Sequence, residues 1–474
     1  MSSRRWIPSR GWGLKGRRLR VWVGGLFGAL ILGPFPTVLL GQNLSEGLRQ
    51  GPESLTLARA IAMALETHPA VGQAEAAVRV AGAGVRQARS SRLPTLAGQG
   101  SMVQHQEPML TAPLHSFDPM DLPSFDRTLV RGAITLRYTL FDGGARGARI
   151  RRAEAGKRAV EAGGAGSRMV VAAQVSAAYL GVLSGEELLA AVLGQEEALS
   201  AELARVRLFL EEGKAARIDL LRVEAALSRT GAQEISVRSD LELVRSRLAR
   251  LTGLDVEVVG RMTLVSVSPL ETAIPARDQS LAAAREANPD LRRAREELVG
   301  AKVGVSEAKA AWLPKVDVNG RYDDFGALDE GHVQEWQAAL QISYPLFTGG
   351  ARDGDRERAV AEERQAEEAL NLAEMTVEDE VETAFAAVGK ARALREALEL
   401  AEDQSAEVAR IEALALEAGA GVQTDFLRAQ AELFQARASL SQARHGEILA
   451  QIELARVRGD LSLEWIQENM EMVR

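Results

Sequence analysis

The sequence of 474 residues contains no cysteine, which excludes a disulfide framework, a thiolate metal site and a cysteine nucleophile. Aromatic residues are also scarce, at 4% of the chain, whereas alanine and glycine are abundant. This composition favours helices that approach each other closely over a globular core of large side chains. The five histidines are scattered and include no i, i+4 pair of metal ligands. We therefore predict that the protein is not an enzyme and needs no metal or cofactor.

Acidic residues are absent from residues 1–41, where seven basic residues precede an apolar run from Val21 to about Leu40. This order is typical of a secretory signal, and we expect a signal peptide at 1–41; an N-terminal membrane anchor is the alternative, because the apolar run is long. Without this segment, 50 of the 57 basic residues would remain against 65 acidic ones, which disfavours nucleic-acid binding. We expect no later segment to supply the roughly 20 apolar residues of a membrane-spanning helix, so a membrane-embedded part would consist of strands.

An internal repeat organises the rest of the chain. The motif Phe-x-Gly-Gly-Ala-Arg at 141–146 recurs 206 residues later, and the Leu-Pro pair at 93–94 recurs 220 residues later. The change in spacing indicates a net insertion of 14 residues in the first copy, between these two motifs. We predict two copies of one unit at 55–253 and 280–459, a linker at 254–279 and a C-terminal tail at 460–474.

Each copy has the same predicted order of elements. A short helix ends before the proline at 69 or 289, because proline disfavours helical conformation in its predecessor, and a second helix follows. Alternation of apolar and polar residues then indicates a β-hairpin near 95–141 or 315–347. It is clearest at 134–140 and 340–346, present at 316–323 and weakest at 96–104. A long helical hairpin completes each copy, at 143–252 and 350–458.

The long helices and the strands both predict self-association. Apolar residues recur every three or four positions from Ala366 to Ala401, without proline, and predict a helix from about 350 to 417, on the order of 100 Å long. Such a helix has no globular core of its own, so it must pack sideways in a bundle or coiled coil. Four strands of roughly ten residues cannot close a barrel, because even small barrels need about eight. A soluble four-stranded sheet packed on a helix is the alternative.

These duplicated motifs, with the Gly-x5-Asp-[Leu/Phe]-Leu-Arg segments at 213–222 and 419–428, resemble the TolC family of outer-membrane efflux proteins. The resemblance implies a mixed α and β fold: a trimeric 12-stranded outer-membrane β-barrel, with four strands per protomer, continued by a long periplasmic α-helical barrel. It also implies a homotrimer in outer-membrane lipid. Its helical tips would dock onto a periplasmic adaptor (membrane fusion) protein linked to an inner-membrane pump of the RND or ABC type.

The candidate site residues lie at the two predicted helical tips. An acid near the start of a returning helix, such as Asp425, can simply complement the helix dipole and cap free N–H groups. The resemblance implies instead that Asp425 belongs to an acidic ring that narrows the periplasmic entrance. Arg428 stands where relatives carry a second acid, and it could pair with Asp425. We expect a periplasmic constriction at Asp425 and Arg428, and adaptor-docking tips that include Gly213, Asp219, Leu221, Gly419, Gly421 and Leu427.

The favoured function is a passive exit duct of a tripartite efflux or type I secretion system. A non-conducting envelope-spanning coiled-coil scaffold is the alternative, but a scaffold does not need two amphipathic hairpins of membrane length. A hydrolase with a helical insert is disfavoured, because cysteine, clustered histidines and a nucleophile motif are all absent. The cargo does not follow from the sequence.

Overall fold

A computed structural model describes residues 54–115, 120, 122–269, 275–328 and 331–473. The expected signal peptide at 1–41 lies outside the described residues.

The first copy contains β1 (Ser54–Leu55), α1 (Leu57–Thr67), α2 (Pro69–Ser90), β2 (Thr95–Leu110), β3 (Phe125–Phe141), α3 (Ala145–Glu211) and α4 (Arg217–Thr252). The connecting segment contains α5 (Val256–Arg261), β4 (Thr263–Leu264) and β5 (Ser266–Pro269). The second copy and the tail contain α6 (Arg277–Ala287), α7 (Pro289–Ala310), β6 (Lys315–Ala327), β7 (Val333–Ser343), α8 (Ala351–Glu417), α9 (Gln423–Arg458), α10 (Leu463–Asn469) and β8 (Met470–Val473).

Corresponding helices of the two copies have equal lengths. The pairs α1 and α6, α2 and α7, α3 and α8, and α4 and α9 have 11, 22, 67 and 36 residues per helix. At 1.5 Å per residue, α3 and α8 are each about 100 Å long. The two copies therefore share one helical framework.

The proline motifs end one helix and begin the next. His68 and Asn288 both leave helical conformation, with ψ of 129° and 125°, as residues before proline do. Their side chains then cap the following helix. His68 Nδ1 accepts from the Ala70 N–H at 3.2 Å, and Asn288 Oδ1 accepts from the Asp290 N–H at 2.9 Å. The Asn288 amide also donates to the Val457 carbonyl at 2.8 Å, which joins the α6–α7 junction to the end of α9.

A Gly-Gly turn joins each β-hairpin to its long helix. Gly143 and Gly144 have φ of 68° and 92°, in the left-handed region that favours glycine, and the second copy has the same pair at 349 and 350. A Cβ at Gly143 would also lie 2.7 Å from the Ala310 carbonyl oxygen. Only glycine satisfies both requirements at this position.

The two hairpins form one antiparallel sheet in the order β2-β3-β6-β7. The outer edges of β2 and β7 have no partner strand among the described residues. The strands contain 16, 17, 13 and 11 residues, so the expected length of roughly ten was too short for β2 and β3. The insertion in the first copy accounts for the longer hairpin.

A second correction concerns the end of β7. The alternation predicted a strand to Leu346, but β7 ends at Ser343. The equivalent part of the first copy remains in the ladder, where Thr139 pairs with Asp317. Pro345 stands in place of Thr139 and has no N–H to donate, so the ladder stops before it.

The main hydrophobic core surrounds the middle of α3, where buried residues of α1, α4, α9 and α10 meet. Tyr179 of α3 is fully buried, and its hydroxyl lies 2.7 Å from the carbonyl oxygens of both Leu55 and Val265. The predicted linker and tail also contribute ordered structure: β4 pairs with β1, and β5 pairs with β8. These short strands fasten both ends of the described chain to the core.

The expectation that no later segment could span a membrane needs correction. Among the described residues, α3 alone contains a window of 18 residues that is apolar enough to do so by length and composition. A core helix meets the same criterion, and Val175, Tyr179 and Val182 are fully buried in the main core. These three apolar residues of α3 therefore pack in the core.

The apolar stripe predicted along α8 is partly buried within the protomer. Val377, Val381 and Val388 pack in a second core with residues of α6, α7 and α9. Leu394, on the same stripe, is exposed. The middle of α8 thus finds its packing partners in its own chain.

Candidate functional site

The side chains of the sheet divide into an apolar and a polar face. On the apolar face, Ile134 of β3 is paired with Tyr322 of β6, which is paired with Trp336 of β7. These side chains are exposed in the protomer: 51% of Ile134 and 75% of Trp336 are accessible. A continuous exposed apolar face of this kind requires an apolar environment or a partner.

The opposite face carries polar and charged side chains. Thr135 is paired with Arg321, Arg137 with Asn319, and the Thr139 hydroxyl donates to an Asp317 carboxylate oxygen at 2.7 Å. This alternation extends across the sheet, because register fixes which residues of neighbouring strands share a face.

One charged cluster on the polar face, here called the two-arginine centre, consists of Arg131, Arg321 and Asp323. Arg131 donates from Nε and Nη2 to Asp323 Oδ1 at 3.2 and 3.1 Å, and Arg321 donates from Nε to Asp323 Oδ2 at 2.7 Å. The Asp323 side chain is only 7% accessible. The sequence assigned Arg321 and Asp323 to the polar side of a strand. It gave no signal that Arg131, 192 residues from Asp323, would join them.

The two helical tips, at 212–222 and 418–428, have the same backbone turn. Gly213 and Gly419 have φ of 74° and 73°, which favours glycine at both positions. Two residues further on, the Ala215 N–H donates to the Phe209 carbonyl at 3.2 Å and the Gly421 N–H donates to the Ala415 carbonyl at 2.9 Å. The repeat therefore extends to the glycine conformation and the backbone hydrogen bonds of the predicted docking tips.

The second tip is tighter than the first. A Cβ at Gly421 would lie 2.7 Å from the Leu416 amide nitrogen, closer than real Cβ atoms approach. The equivalent residue in the first tip is Ala215, whose Cβ is accommodated. Leu221 is exposed in the first tip, whereas Leu427 is half-buried in the second.

The two tip acids differ in their partners. Asp219 and Asp425 both lie in the first turn of a helix, α4 or α9, and neither helix has a side-chain cap. Asp219 is 3.5 Å from Arg222 Nη1. The equivalent residues Asp425 and Arg428 are both exposed and form no ion pair within the described part of the chain. The pairing of Asp425 with Arg428 that the sequence suggested is therefore not made in this conformation.

An arginine that the sequence did not indicate links the two helical hairpins. Arg205, near the end of α3, is held by the buried Glu202 at 2.8 Å and donates from Nη1 to the Leu416 carbonyl at 3.3 Å. Its guanidinium also lies 5.7 Å from the centre of the Phe209 ring. A cation at the last carbonyls of α8 complements the negative end of the helix dipole. Arg205 thus fastens the first hairpin to the second tip.

The long helical hairpins and the amphipathic sheet characterise a class of outer-membrane transport proteins, and the comparison with known families identifies it. Residues 60–254 and 281–460 match the model of the outer membrane efflux protein family, so the chain belongs to that family. The resemblance to the TolC family is confirmed. The protein is located in the outer membrane and extends into the periplasm, and its family consists of transport proteins rather than enzymes.

Individual relatives agree with this assignment. Protein CyaE of Bordetella pertussis is 29% identical over 392 residues, which cover 81% of this chain and 80% of CyaE. The alkaline protease secretion protein AprF of Pseudomonas aeruginosa is 25% identical over 316 residues, covering 62% of this chain and 63% of AprF. The crystal structure of the CmeC outer membrane channel of Campylobacter jejuni has a TM-score of 0.72 at 17% identity and covers 87% of this chain and 88% of CmeC. At this identity the structural likeness establishes the fold alone.

Proposed function

We propose that three copies of the chain form an outer-membrane channel. Their three sheets close a 12-stranded β-barrel, and their helical hairpins continue it as a periplasmic tube. The observation that carries this proposal is the four-stranded sheet with one exposed apolar face and one polar face, in which no strand of the described residues pairs with the outer edges of β2 and β7. An open sheet in lipid would leave backbone N–H and C=O groups unpaired, at several kcal/mol each, and closure with other copies removes these edges. The number of copies rests on the resemblance to the TolC family.

Exposed apolar residues on the long helices support lateral packing between copies. Leu372 and Met375 of α8 and Ile235 and Leu243 of α4 are all largely accessible in the protomer. They lie outside the buried cores of their own chain. Neighbouring copies in a helical tube would cover such side chains.

The resulting channel acts as a passive exit duct for efflux or secretion. Its tips at Gly213 and Gly419 lie at the ends of helices that start at the sheet and run for about 100 Å, and they suit docking to a periplasmic adaptor linked to an inner-membrane pump. AprF is named as a secretion protein, which supports an export role. In this proposal Asp425 narrows the periplasmic entrance, a role that the resemblance to the TolC family implies. Its exposure, without an ion-pair partner among the described residues, leaves its charge available there.

The proposal is tested on the full-length protein expressed with its N-terminal segment. Native mass spectrometry of the protein extracted from outer membranes should give a trimer, and the same sample should give discrete conductance steps in planar lipid bilayers. A stable monomer with full β content in detergent would contradict barrel closure. A trimer without conductance would favour the envelope-spanning scaffold.

A further inference from the structure

The two-arginine centre has more donors than its carboxylate uses. Arg321 contacts Asp323 only through Nε, and Arg131 uses Nε and Nη2. Both Nη groups of Arg321 and Nη1 of Arg131 have no protein acceptor among the described residues. Two guanidinium groups share one carboxylate, so the centre carries a net positive charge.

The guanidinium groups are fixed but accessible. The Arg131 guanidinium lies 4.6 Å from the centre of the Phe325 ring, and this cation–π contact holds its plane. The accessible fractions of the Arg131 and Arg321 side chains are 46% and 31%, whereas Asp323 beneath them is buried. Planar guanidinium donors held in this way match the oxygen geometry of carboxylates and phosphates.

Two acidic neighbours have partners other than the two arginines. Glu335 of β7 is in register with Asp323, on the same face, and its carboxylate is 3.2 Å from His115 Nε2. Asp324 belongs to the other face and is 3.0 Å from His332 Nδ1. Through its contact with Glu335, His115, which follows β2, lies beside β7. The centre lies near the end of the sheet farthest from α3 and α8, because Phe325 is two residues from the end of β6.

We propose that Arg131 and Arg321 form a binding site for the carboxylate or phosphate groups of soluble molecules that pass along the polar face. This inference rests on the proposed function, which puts the polar face in the channel lumen. A trimer has three such sites at one level near the exit. The site favours anions at the end of the channel opposite the acidic Asp425.

The test measures binding of inorganic tripolyphosphate to the detergent-purified protein by isothermal titration calorimetry at low salt. The principal variant combines Arg131→Gln, Arg321→Gln and Asp323→Asn, so that no buried charge is left without a partner. Arg137→Gln is the matched control: it removes the same net charge of one per protomer from the same face of β3. The triple variant should bind about tenfold more weakly or worse, and the control should stay within about twofold of the unmodified protein.

A second variant, Arg131→Lys with Arg321→Lys, keeps the inference testable if the triple variant misfolds. Lysine keeps both charges beside Asp323 but lacks the planar fork, so binding should weaken by roughly fivefold. Unchanged binding in the lysine variant, or equal weakening by the triple variant and Arg137→Gln, would overturn the inference. Bilayer conductance of the same samples reports on the proposed function separately: a conducting protein that does not bind tripolyphosphate contradicts only this inference.

Discussion

The first and second helical tips have the same backbone turn but different side-chain chemistry. Both turns begin with a glycine of positive φ. In the first tip, Asp219 is paired with Arg222, whereas in the second Asp425 and Arg428 stay apart. The second tip also excludes a Cβ at Gly421, where the first has Ala215.

The two copies thus share one framework and differ at the surface. Corresponding helices have equal lengths, because both copies must fit one helical framework. An exposed acid with a cationic partner contributes little to the electrostatic field around it, whereas an unpaired acid attracts counter-ions. The second copy is therefore the one expected to interact with permeating ions, and variants at equivalent positions can test this.

Lysine on the apolar face of the sheet should disrupt both copies alike, and it should have the strongest effect of these changes. Ile134 and Leu340 are equivalent residues on the apolar face of β3 and β7. Ile134→Lys or Leu340→Lys should cost about 2–4 kcal/mol per protomer if the residue faces lipid near the bilayer centre. Both variants should fail to reach the outer membrane as trimers, measured by fractionation and native mass spectrometry.

Ala339→Lys is the control, because Ala339 is next to Leu340 on the polar face of the same strand and is also exposed. It should leave insertion and trimer formation intact. If lysine at 339 and at 340 had the same effect, the assignment of the two faces would be wrong.

Added bulk should destabilise the second tip more than the first. Gly421→Val puts a branched side chain where a Cβ already lies 2.7 Å from the Leu416 nitrogen, so the turn must open at a cost of about 1–3 kcal/mol. Ala215→Val adds bulk at the equivalent position, where a Cβ fits. Limited proteolysis should cut the second tip of Gly421→Val faster, and export should fall, while the trimer persists.

Equal protease resistance and equal export in the Gly421→Val and Ala215→Val variants would contradict the steric difference between the tips.

Gly213→Val and Gly419→Val, by contrast, should both impair export, since each forces a branched residue to positive φ. Normal export by both of these variants would indicate that docking takes place elsewhere.

An effect of similar size is expected from the Arg205 link, which only the first copy has. Arg205 corresponds to Ile411 in the second copy, so no equivalent arginine exists there. Arg205→Met removes the bond to the Leu416 carbonyl and leaves Glu202 buried without its partner, which should destabilise the tip by about 1–3 kcal/mol. Single-channel conductance should rise if this bond holds the tip closed. Combining the change with Glu202→Gln separates the two causes, because conductance should stay high while stability partly recovers.

The long helices could be predicted from the sequence because their signals are local. The helix expected at about 350–417 is α8, Ala351–Glu417, since a Gly-Gly turn begins it and a glycine follows its end. The extent of β2 could not be predicted in the same way, because pairing with β3 sets it. The pairing of β8 with β5 was missed for a related reason: both strands have four residues, too few for an alternation pattern.

The candidate site was predictable only in part. The tip turns followed from the repeated glycines, but the partners of the tip side chains did not. The Arg205 bond to Leu416 joins residues 211 positions apart, and the two-arginine centre depends on the register of β3 against β6. Contacts of this kind depend on tertiary packing, which a pattern along the chain does not reveal.

The smallest effect on stability, and the sharpest test of the tip comparison, is expected at Asp425. Three copies around a threefold axis would bring three carboxylates together at the narrow end. Their negative charges would make the local electrostatic potential more negative and attract cations. Asp425→Asn should therefore lower cation selectivity and weaken block by divalent cations in single-channel recordings, with an unchanged melting temperature. Asp219→Asn is the matched control: it breaks a pair with Arg222 worth about 0.2–0.5 kcal/mol and should leave selectivity unchanged. Arg428→Gln removes a positive charge near Asp425. Because Arg428 makes no ion pair with Asp425 in this structure, its loss should increase cation selectivity. A lower melting temperature of Asp425→Asn, with selectivity and cation block unchanged, would instead assign Asp425 to the stability of the helix start.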